Sequence, residues 1–236
     1  MAKRLLATAR RPAAKRFYAS LVRPGDLVFD VGANVGERTT VFRALGARVV
    51  AIEPQRHCLD RLKDAFGDDP LVSIVSVGLA ATAGTMELSI CDAAPTISTM
   101  SAAWREEGRF SGSYEWTRTE TVPVTTLDAL VDEYGVPAFC KIDVEGFELN
   151  VLEGLSRPIP SVSFEFAREF MDQAVACIRR IESLGGFTFN VSLGESMRFL
   201  LAQNVPADEL LAILDSRPDP LLWGDVYAVH SSSRSG

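Results

Sequence analysis

The sequence predicts an α/β domain built on an open, mostly parallel sheet, and three observations carry that prediction. The first is a short apolar run, Leu27–Val31, that breaks at Gly32 and Gly36 and leads into a helical pattern of Val41, Phe42 and Leu45. Such a strand–glycine turn–helix unit buries its strand on both faces and presents backbone N–H groups at the strand's carboxyl end. The second is an acid, Glu53, at the tip of the next apolar run, Arg48–Ile52, and 21 residues after Gly32. The third is a later apolar run whose end turns polar, Lys141-Ile-Asp-Val-Glu-Gly146. An open parallel sheet places its ligand crevice at that end of its strands.

The chain of 236 residues is 47% hydrophobic and 23% charged, enough for one α/β domain with a full core. It divides into a basic N-terminal helix (1–24), a domain (25–230) and a disordered serine-rich tail (231–236). Residues 1–25 carry seven bases and no acid, so the net charge of −7 leaves −14 on the remainder. A body this acidic argues against nucleic acid as the main partner. The basic start reads as a helix docked on the domain edge, with a transit peptide or a membrane-surface helix as alternatives. No apolar run reaches the roughly 18 residues of a membrane span. Cys58, Cys91, Cys140 and Cys177 are scattered, without a C-x-x-C pair, which suggests free thiols in the reducing cytoplasm.

In the first unit, Asp30 stands at the strand's last turn, and Asn34 occupies the place of a dinucleotide fingerprint's second glycine. A pyrophosphate needs bare backbone there. A nucleoside with a sulfonium and an amino-acid tail tolerates Asn34 and favours Asp30, which points to S-adenosylmethionine. The glycines alone are equally compatible with an ordinary βα turn that lets the helix pack closely. Glu53 is placed to accept both ribose hydroxyls. The cofactor-binding candidates are Asp30, Gly32, Ala33, Asn34, Gly36 and Glu53, completed by Ser76 and Val77 at the end of the third strand.

Further elements follow in order. Residues 55–66 form an amphipathic helix, 71–77 a third strand, and 79–90 alternate like a hairpin about Ala83-Gly84. Residues 92–118 lack clear periodicity but hold Trp104, Phe110, Tyr114 and Trp116. They suit a lid over cofactor and substrate, or an insertion that its aromatics anchor to the sheet. A strand at 119–124 and a helix from Thr126 to Tyr134 lead to the fourth core strand, 138–144. Alternation sends Lys141, Asp143 and Glu145 to one side of it, and three ionisable groups there are costly unless something needs them. Strands at 161–166, 187–192 and 225–230 and helices at 168–184 and 206–214 complete the pattern.

With Asp30-Val-Gly-Ala-Asn-Val-Gly36 and Lys141-Ile-Asp-Val-Glu-Gly-Phe-Glu148 both in place, the chain resembles the FkbM family of S-adenosylmethionine-dependent methyltransferases from about Asp26 to Asn190. Thr126-Leu127-Asp128 and Val151-Leu152-x-Gly154 extend the likeness. It implies a Rossmann-like class I methyltransferase with a seven-stranded, mostly parallel sheet, helices on both faces and one antiparallel strand. It also implies O-methylation of a sugar or natural-product hydroxyl, a small-molecule or saccharide acceptor. By position, Asp30, Gly32, Asn34 and Gly36 match the family's cofactor loop, Glu53 its ribose acid, and Asp143 and Glu145 its fourth-strand motif.

A hydroxyl must lose its proton during such a transfer, so Asp143 or Glu145 is the expected general base, with Lys141 tuning or pairing one of them. A divalent metal held by Asp143, Glu145 and Glu165 is the lesser alternative, and no metal site is assigned, because no histidine or tight acidic cluster supports one. A nicotinamide-dependent oxidoreductase and a non-catalytic methyltransferase-like binding protein remain as other classes. A homodimer is compatible with the sequence.

Overall fold

The apolar runs become the strands of one sheet. In the computed structural model, which describes residues 12–234, β1 (Leu27–Val31), β2 (Arg48–Ile52) and β3 (Val72–Val75) run parallel from the centre to one edge. A second, three-stranded sheet follows from β4 (Gly78–Leu79), β5 (Gly84–Ile90) and β6 (Arg118–Thr125). The chain then returns to the main sheet through β7 (Phe139–Ile142), β8 (Ser161–Ala167), β9 (Phe187–Leu193) and β10 (Trp223–His230). The seven strands lie in the order β3-β2-β1-β7-β8-β10-β9, and β10 is antiparallel to both of its neighbours. This is the seven-stranded, one-strand-antiparallel sheet that the resemblance implied.

Alternation along the strands sorts two core layers. Phe29, Val31, Cys140, Ile142 and Phe164 face helices α5 (Leu127–Tyr134), α6 (Glu148–Glu153), α7 (Met171–Ser183) and α8 (Ala207–Asp215). Val28, Val49, Phe139 and Tyr227 face the other way, toward α1 (residues 12–18) and α2 (Glu37–Ala44), while Ala51 meets Leu62 of α3 (Arg56–Phe66). Each large side chain buried in this way is worth about 1.5–3 kcal/mol. The basic N-terminal segment docks through Ala14, Phe17, Tyr18 and Val22, all buried, with Tyr18 edge-on to Phe42 at 5.0 Å between ring centroids. Residues 1–11 of that segment lie outside the described residues. One row across the sheet is polar: Asp30, Lys141, Ser163, Tyr227 and Asn190 are register partners in turn on β1, β7, β8, β10 and β9.

Several segments depart from the sequence reading. Residues 79–90 are not a hairpin: β5 pairs antiparallel with β6, and β4 pairs parallel with β6. Alternation identifies a half-buried strand but not its partner, and here Leu88, Ile90 and Val122 choose each other in a small core of their own. The insertion at 92–118 contains a 3₁₀ turn, Pro95–Ile97, and helix α4 (Ala102–Glu107), capped by the Ser101 hydroxyl, which accepts from the Trp104 N–H. α6 was not legible because six residues are too few to show a period. The chain end expected to be disordered turns through a 3₁₀ helix at Ser231–Arg234, and the last two residues lie outside the described residues. All four cysteines are buried free thiols. Among the described residues no helix is long and apolar enough to cross a membrane.

Candidate functional site

Two loops meet at the carboxyl ends of β1 and β7, and a glycine makes the meeting feasible. Gly32 has φ +75°, and a Cβ on it would stand 1.9 Å from the Asp143 carbonyl oxygen. Only glycine combines that backbone with that approach. Gly36 also has a positive φ, +84°, but it does not border the cavity between the loops. A Cβ there would meet the Phe66 ring at 2.6 Å and Leu62 at 2.9 Å, so Gly36 serves the packing of α2 on α3.

Between the loops lies a cavity of about 410 Å³, in the range of small-ligand sites. Asp30, Gly32, Ala33, Asn34, Glu53 and Val77 line one end. Ser76 does not line it and its side chain is exposed, because β3 ends a residue earlier and the chain turns Ser76 outward. Asn34 takes the left-handed conformation, φ 49°, that Asn tolerates better than most residues. Its N–H donates to Glu53 Oε2 at 2.8 Å, and the Gln55 N–H donates to Oε1 at 2.8 Å. Glu53 is 2% exposed. Burial pushes its carboxyl up to about 7, and those two amides partly offset the rise. Asp30, equally buried, accepts from the Thr39 hydroxyl at 2.6 Å, and burial raises it against the pull of Lys141.

The other end is made by Lys141, Asp143, Glu145 and Glu165. Lys141 Nζ donates to Asp143 Oδ2 at 2.5 Å. Burial alone would lift Asp143, but the ammonium beside it holds the carboxyl below its usual range. Lys141 is likewise pushed down by burial and raised on balance by Asp143 and Asp225. Strand alternation does not carry Glu145 there, since β7 ends at Ile142 and Glu145 turns in with φ 55°, followed by Gly146 at φ 84°. The carboxylate oxygens of Asp143, Glu145 and Glu165 lie within 4.8 Å of one another. That overturns the premise that the chain lacks a tight acidic cluster. Burial, and then the Asp143 charge, push Glu145 and Glu165 well above the ordinary carboxylate range. Like charges this close resist simultaneous ionisation.

The insertion covers this end. Thr99, Met100, Trp104, Arg109 and Phe110 line the cavity. Trp104 stacks on Phe170 at 5.5 Å, the Trp116 indole N–H donates to the Ile97 carbonyl at 3.0 Å, and Arg109 donates through Nε and Nη2 to both oxygens of Glu169 at 2.7 Å. Sequence reasoning missed Arg109, Trp223 and the cavity-lining pair Arg38–Glu195, which is 3.0 Å apart across 157 positions. No local pattern announces such partners.

A sequence profile described as the methyltransferase FkbM domain matches residues 30–203. The chain belongs to the FkbM methyltransferase family. Membership removes the nicotinamide oxidoreductase alternative. The FkbM chain is 29% identical over 142 residues to a hexuronic acid methyltransferase, AglP, of Haloferax volcanii, covering 59% of this chain and 54% of that protein. It is 43% identical over 53 residues to an rRNA methyltransferase of Streptomyces thermotolerans, covering 22% and 18%. The chain thus spans about half the length of the first relative and under a fifth of the second. A solved precorrin-6y C5,15-methyltransferase of Geobacter metallireducens aligns over 94% of this chain and 86% of that one, with 12% identity and a TM-score of 0.49. Aeropyrum pernix fibrillarin with natively bound S-adenosyl-L-methionine aligns over 89% and 68%, with 11% identity and a TM-score of 0.42.

Proposed function

We propose that this FkbM-family chain methylates a hydroxyl of a saccharide or similar small acceptor, using S-adenosylmethionine. The observation that supports it is one cavity with Glu53 and the glycine loop at one end and three carboxylates at the other. The residues fit the cofactor. Acids outnumber bases in the lining by seven to three, and a cationic ligand beside the buried Asp30 and Glu53 would favour their ionised forms. Glu53, fixed by two backbone amides, keeps lone pairs for ribose hydroxyls at the tip of β2. When bound, the cofactor supplies a methyl group on a positively charged sulfur.

The chain's own work is then to place the acceptor and take its proton. Holding nucleophile and methyl in line contributes about 7–11 kcal/mol of the barrier reduction. Glu145 is assigned as the general base, because its raised affinity for a proton suits the task better than an ordinary carboxylate would. Asp143, tied to Lys141, stays ionised, and its charge adds to burial in raising the proton affinity of Glu145. Arg109, Trp104 and Phe110 close the acceptor end as a lid and exclude water. The acidic body and the saccharide-modifying relative support a small-molecule acceptor, and the buried free thiols support a cytoplasmic setting.

Calorimetric titration with S-adenosylhomocysteine on the wild type and Glu53→Ala tests the cofactor reading. Binding that the substitution weakens tenfold or more supports it, and no binding to the wild type refutes it. Radiolabelled methyl transfer to a panel of neutral hexoses and hexuronic acids tests the reaction, with Glu145→Gln expected to lose turnover while keeping cofactor affinity. Cofactor binding without transfer to any of them would favour a non-catalytic binding protein.

A further inference from the structure

The turn that carries Glu145 is held in an uncommon shape. Glu145, at φ 55°, and Gly146, at φ 84°, are consecutive left-handed residues, and a non-glycine residue stays there only when its surroundings insist. Glu148, at the start of α6 and 5% exposed, supplies part of that insistence. Its Oε1 accepts the Val144 N–H at 3.1 Å and the Gly146 N–H at 3.3 Å, one on each side of Glu145. From above, the Thr99 hydroxyl donates to the Glu145 carbonyl at 2.7 Å and accepts from the Ser101 N–H at 2.8 Å. Glu148 does not border the cavity that Glu145 lines.

We propose that Glu148 is a positioning residue: its carboxylate bridges the amides of Val144 and Gly146 and thereby aims the Glu145 side chain into the cavity. The inference rests on the reading of Glu145 as the base. Reach matters here, whereas a mere helix-start charge on α6 would act through the dipole alone. Glu148→Asp keeps the charge and shortens the reach by a methylene. Glu148→Gln keeps the reach and an acceptor oxygen but loses the charge.

The test needs no acceptor. Protein carrying ¹³C at glutamate carboxyls, with the Glu145 resonance assigned by Glu145→Gln, is saturated with S-adenosylhomocysteine. We expect Glu148→Asp to move the Glu145 carboxyl resonance and to lower amide-exchange protection at Val144 and Gly146 about tenfold. Glu148→Gln should keep both near wild type, and calorimetric affinity for S-adenosylhomocysteine should stay within twofold in each variant. An unmoved Glu145 resonance in Glu148→Asp, or equal disruption by Gln and Asp, would overturn the proposal. Failure of the wild type to bind S-adenosylhomocysteine would instead strike the cofactor reading, and the same exchange measurement on the unliganded protein would still decide the role of Glu148.

Discussion

Replacing Gly32 by alanine puts the contact between the two site loops to the test. The new Cβ would sit 1.9 Å from the Asp143 carbonyl oxygen and 2.9 Å from its carbon. Reaching even a tight 3.0 Å contact requires a retreat of about 1.1 Å by backbone, since neither atom belongs to a flexible side chain. Holding alanine at φ +75° costs about 1–2 kcal/mol, and overpacking of this kind adds about 1–3 kcal/mol. The expected loss is therefore about 2–5 kcal/mol of folding stability, read from urea denaturation. The displaced Asp143 should also carry Lys141 and the Glu145 turn with it, and a shift of about 1 Å at a reacting centre costs on the order of 100-fold in rate. Gly36→Ala is the comparison, because its Cβ meets the ends of Phe66 and Leu62, which can rotate away. A Gly32→Ala protein within 0.5 kcal/mol of wild type (, about the scatter of neutral surface changes), with unchanged S-adenosylhomocysteine affinity, would refute the reasoning.

Two further outcomes are expected. Arg109→Ala should shift the urea midpoint by less than about 1 kcal/mol, since the Arg109–Glu169 pair is partly solvated, while proteolysis within residues 92–118 accelerates several-fold; an unchanged cleavage rate would show that this pair does not hold the insertion down. Glu53, pushed up to about 7 by burial, titrates near 4.3 when unfolded. Both states are protonated below that value, and as pH rises toward 7 the unfolded chain ionises first. The stability due to Glu53 is thus full below about pH 4 and lost by about pH 7, by at most about 3–4 kcal/mol. The melting temperature of the unliganded protein should fall over that window, and Glu53→Gln should flatten the fall; parallel curves would contradict the shift.

What the sequence revealed is what short-range patterning encodes. Leu27–Val31 and Arg48–Ile52 declare themselves because strands buried on both faces need continuous apolar runs. Glu53 was found because the length of one βα unit fixes its distance from Gly32. The helix-packing role of Gly36 was not legible, because the same residue type serves a ligand and a helix contact, and only the approach of Phe66 and Leu62 reveals the second. The carboxylate cluster stayed hidden because Glu165 joins it from β8, and because Glu145 reaches it by a left-handed turn that strand alternation does not anticipate. The pairing of β5 with β6, across the insertion that separates Ile90 from Arg118 at their nearest register, was equally beyond local reading.

The placement of β10 has a consequence for synthesis. Residues leave a ribosome in order, so β8 and β9 are available well before β10, yet β10 must lie between them. Until Trp223–His230 emerges, β8 carries Glu165 on a strand with one bare edge, its partner Asp225 still missing. Such an edge invites pairing with another chain. A nascent or prematurely terminated chain lacking its final strand would therefore carry the whole acidic cluster beside an adhesive border, so that aggregation or degradation would remove truncated molecules before they could compete for cofactor.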